Sequence, residues 1–124
     1  MMLFRAMRPD DDGHPECVAT ARGLGARVPG DIQVDASDQV TPGTGGMSVS
    51  PDAISNLPPH RRPPIHGGTG KDPVFRISRA SLPTVLSFRP DPNHSMAHGF
   101  VEPGSPTLVD DYQRDLCGTR GSWS

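Results

Sequence analysis

Six short apolar-rich stretches of this chain, some of them alternating with polar residues, are each too brief for a helix and right for a strand. They are Leu3 to Met7, Ile32 with Val34, Met47 to Ser50, Val74 to Ile77, Val85 to Phe88, and Phe100 to Glu102. Turn-forming residues close several of them: Pro9-Asp10-Asp11-Asp12-Gly13, Pro90-Asp91-Pro92 and Pro103. Residues 17–25 contain Ala and Leu and predict one or two helical turns before Gly25. Ser50-Pro51-Asp52 predicts a helix start, because a Ser hydroxyl accepts an orphan backbone N–H and Pro lacks the N–H that would go unpaired. Pro58-Pro59 must end that helix early. The strongest helical pattern is C-terminal. Thr107 is the expected cap, with Asp110 completing a capping box. Leu108, Val109, Tyr112 and Leu116 share one face, and Gly118 is the stop.

Strands followed by small helices make the expected class α+β: a small, twisted, mostly antiparallel sheet with short helices and long Pro/Gly-rich loops. Residues 1–124 are read as a single domain, with 58–73 as an exposed connecting loop that holds five prolines and three glycines. Composition agrees. Hydrophobic residues make up 33% of the chain, with 15 Pro and 14 Gly, so the core must be small. A net charge of −2 with no basic block argues against nucleic-acid binding. No apolar run is long enough to span a bilayer, and Met1-Met2-Leu3-Phe4-Arg5 lacks the apolar run of a secretory signal. The expected location is therefore cytoplasmic, or outside the cell by a route without a signal peptide. Cys17 and Cys117 are read as two inert thiols, with one bridge joining the chain's two ends as the alternative.

Several motifs fail on inspection. Gly67-Gly68-Thr69-Gly70-Lys71-Asp72 invites a phosphate-loop reading, but Ile65 stands where Gly is needed and Asp72 where Ser or Thr would bind magnesium. His94 and His98 are four apart but have no acid between them and no further ligand nearby, so no metal site is expected and both are read as solvent-exposed. His60-Arg61-Arg62 reads as a solvated basic loop. A hydrolase triad built on Ser48 is rejected, because Gly46-Met47-Ser48-Val49-Ser50 is no nucleophile elbow.

Three fragments make sense together: Leu3-Phe4-Arg5-Ala6-Met7, Gly45-Gly46-Met47-Ser48-Val49-Ser50-Pro51, and His98-Gly99-Phe100-Val101-Glu102-Pro103. An Arg, a Ser-x-Ser and a Glu on three strands, in that order, resemble the pattern of mono-ADP-ribosyltransferases of the Arg/Ser/Glu type. The wider texture resembles small bacterial toxins of that fold, including effectors of the type VI secretion class. The resemblance implies NAD as substrate and cleavage of its nicotinamide–ribose bond through a sugar cation. It implies Glu102 as the carboxylate that stabilises this cation. Arg5 would grip the cofactor's phosphates, Ser48 or Ser50 would hold the ribose or orient Glu102, and Phe100 would pack on the nicotinamide ring. Where many such transferases carry a second acid, two positions before the catalytic Glu, this chain has Phe100. That departure leaves a second expectation, a non-catalytic relative binding a protein partner such as an immunity protein. A third is a loop-rich polypeptide without enzymatic activity.

Overall fold

The computed structural model describes residues 1–124. Its strands are β1 Met2–Ala6, β2 Gln39–Val40, β3 Met47–Pro51, β4 Val74–Ser78, β5 Leu86–Pro90, β6 Gly99–Pro103 and β7 Thr107–Leu108, and its one α-helix is α1 Val109–Gly118. Five strands form an antiparallel sheet in the order β4-β1-β3-β6-β5, and β2 pairs with β7 in a separate two-stranded ribbon. The α+β class with antiparallel sheets is as expected. No helix is long and apolar enough to cross a membrane.

The register sorts the sheet's side chains into two faces. Leu3 pairs with Ile77, Met47 with Val101, and Val101 with Phe88, so these side chains leave one face. They join Tyr112, Leu116 and Trp123 from the C-terminal region in one buried core. Met7, Leu24, Ala26, Ile32 and Val40 complete it, most of them from loops, which is how a chain with few apolar residues closes a core. The opposite face carries Phe4, Ser48, Ser50, Phe100 and Glu102. At the outer edge, Arg76 of β4 exchanges backbone hydrogen bonds with Ser124, which covers the exposed ladder of that strand.

Tyr112 ties the helix to the sheet. Its hydroxyl donates to the Val101 carbonyl at 2.6 Å and accepts from the Met47 backbone N–H at 3.1 Å. Burial pushes its pKa upward, which keeps the donor proton in place. The long loop before β2 is anchored to the same region. The Gln113 amide bonds both backbone groups of Ala26, Arg120 Nε donates to the Pro15 carbonyl at 2.9 Å, and Cys17 is joined to Cys117 with a Cα–Cα distance of 5.5 Å. The bridge, not the pair of free thiols, is therefore the observed state.

Other local expectations change for identifiable reasons. Residues 17–25 form turns rather than helix, because their carbonyls point inward to a side chain described below. Ile32 is buried without being in a strand, and Val34 makes only an isolated bridge to Val40. Pro51 ends β3 instead of starting a helix, and only a short 3-10 turn, Ile54–Asn56, follows. The Ser50 hydroxyl donates to the Asn56 carbonyl at 3.3 Å rather than capping a helix. Thr107 does not cap α1 either. It pairs with Val40, its hydroxyl donates to the Ser105 carbonyl, and Leu108 is left exposed. The loop over 58–73 holds a single 3-10 turn, Pro64–His66.

Candidate functional site

A cavity of about 210 Å³ opens where β1 and β3 meet two loops. Ala6, Ser48 and Ser50 form its sheet side, Leu57, Pro58, His60 and Arg61 one wall, and Ala21, Arg27 and Asp31 the other. His98, immediately before β6, closes it. Gly45 and Gly46 shape the approach to β3. Their φ values are +135° and +154°, and a Cβ would collide with the Asp31 carbonyl oxygen at Gly45 and lie 2.7 Å from that of Val101 at Gly46. Gly46 N–H in turn donates to the Asp31 carbonyl at 2.9 Å, which fixes the Asp31 wall against the strand.

Arg5 is the most constrained residue of the site. Its partner across the ladder is Phe75, so it leaves β1 on the core side, and it is 7% exposed. Nε donates to the Gly23 carbonyl at 3.1 Å, and Nη2 to those of Gly23 at 2.9 Å and Thr20 at 3.1 Å. Nη1 donates to the Ser48 carbonyl at 2.7 Å. A guanidinium has five N–H donors, so these bonds leave one on Nη1 without a protein partner. Arg5 makes no ion pair, and burial pushes its pKa down to about 10, so it stays charged at neutral pH. The nearby Asp31 opposes that shift, and the positive charge of Arg61 adds to it.

The other lining charges are unequally committed. Arg27 is paired with Asp31, through Nε at 3.2 Å and Nη2 at 3.0 Å. Arg61 donates no side-chain hydrogen bond. Its only ionic neighbour is Asp72, at 3.7 Å, and Asp72 is already gripped bidentately by Arg22 at 2.6 and 2.7 Å. His98 Nδ1 lies 2.8 Å from Asp91 Oδ2, and this contact with the Asn93 backbone N–H holds Asp91 below the usual carboxylate range. His60 is exposed, as expected of a solvated loop, though it lines the cavity rim, whereas Arg61 and His98 are half-buried, and His98 is also oriented.

Of the five residues named from sequence, Arg5, Ser48 and Ser50 line this cavity; Glu102 and Phe100 do not. Glu102 shares a sheet face with Ser48 but is buried beyond Phe100, accepting from Gly43 N–H at 2.9 Å and Arg89 Nε at 3.0 Å. Phe100 is covered by the Arg89 guanidinium, 4.9 Å from the ring centre, and meets the edge of His98, also at 4.9 Å. Sequence reasoning missed Arg61, Asp31 and the Asp91–His98 pair. The Asp-Pro-Asn turn before His98 was the one available signal, because Asp91 caps that turn with its own side chain. No family model matches the chain, and no curated protein and no solved structure is significantly similar to it.

Proposed function

We propose that this chain is a nucleotide-binding domain of ADP-ribosyltransferase type, with the cavity taking the phosphate-bearing end of NAD. The observation that carries the reading is the pair Arg5 and Arg61: two guanidiniums with unused N–H donors at one cavity, close enough to repel each other. An anion between them removes that repulsion and takes up the free donors, and phosphate oxygens match the guanidinium fork. At about 210 Å³ the cavity is smaller than the ~300–1,000 Å³ of typical ligand pockets, so it suits one phosphate with its sugar rather than the whole dinucleotide. The Ser48 side chain supplies a hydroxyl for that sugar. Glu102, diagonal to Ser48 on the same sheet face, is the carboxylate for the sugar cation once Arg89 releases it.

A second reading is favoured by one feature. The Glu102 carboxylate is engaged by Arg89 and Gly43, which suits a domain that binds a partner without turnover. Calorimetric titration with NAD and with pyrophosphate, alongside a nicotinamide-release assay, separates the two. The transferase reading expects Arg61→Gln to weaken both ligands roughly 10- to 150-fold, a charged hydrogen bond being worth ~1.5–3 kcal/mol, and Glu102→Ala to abolish release. Binding without release by the wild type points to the partner-binding domain. No binding of either ligand refutes the anion site.

A further inference from the structure

His98 is the one imidazole at the cavity that another side chain orients. With Nδ1 held against Asp91, the neutral ring carries its proton there and Nε2 keeps a lone pair. Nε2 has no protein partner. The Phe100 ring, at 79° to the imidazole, limits its rotation. His98 lies two residues before Phe100, the residue that stands where a second acid was expected, so the chain brings a base to the same strand end by another side chain. Neither serine competes as a nucleophile activated by this ring: Ser50 donates its hydroxyl to the Asn56 carbonyl, and Ser48 makes no hydrogen bond to His98.

We infer that His98 is the proton acceptor for the nucleophile at this cavity, with Asp91 as its positioning residue. This rests on the dinucleotide reading above, and the nucleophile is water. The water oxygen forms a bond to C1′ of the nicotinamide ribose, and its proton passes to Nε2 of His98. The C1′–N bond breaks and its electron pair leaves with nicotinamide. No oxidant, reductant or metal enters the balance.

The test measures NAD binding by calorimetry and nicotinamide release on the full chain, for wild type, His98→Ala and Asp91→Asn. The expected result is that His98→Ala binds NAD within about threefold of wild type while kcat falls roughly 100-fold or more, the range for loss of a positioned general base. Added imidazole restores part of that rate, which a merely structural role would not allow. Asp91→Asn lowers kcat and, in nitrogen NMR of the His98 ring, removes the preference for a proton on Nδ1. His98→Ala turning over at the wild-type rate, or losing activity without imidazole rescue, overturns the inference. So does a ring spectrum unchanged in Asp91→Asn. NAD bound but never cleaved by the wild type overturns the proton-acceptor role and leaves the binding reading standing. Absence of NAD binding overturns both.

Discussion

Replacing Tyr112 with phenylalanine removes one oxygen and little else, which makes it a clean probe of how the helix holds the sheet. That oxygen belongs to a side chain at 0% exposure and serves two strands at once, accepting from Met47 N–H of β3 and donating to the Val101 carbonyl of β6. Tyr112→Phe would leave both backbone groups facing an apolar ring. An unsatisfied buried donor or acceptor costs ~1–3 kcal/mol, so the two together cost about 2–4 kcal/mol after partial relaxation. Unfolding entropy near ~2.1 cal/mol/K per residue over 124 residues makes each kcal/mol worth about 4 °C. The expected loss in Tm is therefore about 8–15 °C, with an unchanged urea m-value because the buried surface barely changes. Differential scanning calorimetry and urea unfolding, both with the disulfide intact, give the two numbers. A loss under about 0.5 kcal/mol would refute the claim that this hydroxyl joins β3 to β6.

Acid stability follows from the Arg22 grip on Asp72. The Arg22 hydrogen bonds hold the Asp72 carboxyl below its ordinary value of 3.8, so the stability it contributes is present above that value and is lost as pH falls through the lower folded-state pKa. Asp72→Asn is expected to destabilise the protein by about 0.5–1 kcal/mol at pH 7, solvent around the half-exposed Arg22 screening the pair, and to match wild type near pH ~2, in urea unfolding at both pH values. A difference that persists at low pH would contradict this. The Cys17–Cys117 bridge spans 100 residues of chain, and its loss in a Cys17→Ser, Cys117→Ser double variant is expected to cost about 2–4 kcal/mol. Equal urea midpoints for that variant and the oxidised wild type would show that Gln113 and Arg120 alone hold the long loop.

The sheet was legible because strand signals are local. Leu3 to Ala6, Met47 to Ser50, Val74 to Ile77 and Phe100 to Glu102 are short apolar-rich runs bounded by polar or turn-forming residues, and each became a strand of the five-stranded sheet. The helix was legible through Tyr112 and Leu116, which are buried at its spacing. What escaped depends on partners distant in sequence. Thr107 had a helix to cap but pairs with Val40, whose position relative to it no local pattern encodes. Residues 17–25 have helix-compatible composition, but their carbonyls turn to a cation introduced by β1. The cavity escaped for the same reason. Arg61 and His60 belong to a Pro-rich loop, and only the tertiary fold sets them opposite Arg5 and beside Ser48.

Arg5 links the fold to the site. A buried guanidinium with no carboxylate partner is costly, and its depressed pKa registers that cost. The compensation is structural: the side chain gathers the carbonyls of Thr20 and Gly23 and binds that loop to Ser48, beside the buried Leu24 and Ala26. Carbonyl dipoles satisfy donors but leave the net charge in place. The positive potential therefore remains at the cavity, reinforced by Arg61, while Asp31 is already used by Arg27. A cation that orders the loop thus leaves an uncompensated charge, and one N–H without a protein partner, on a residue that lines the cavity. An anion bound there answers the same charge that the loop answers only in part, so ligand binding and loop order are expected to reinforce each other.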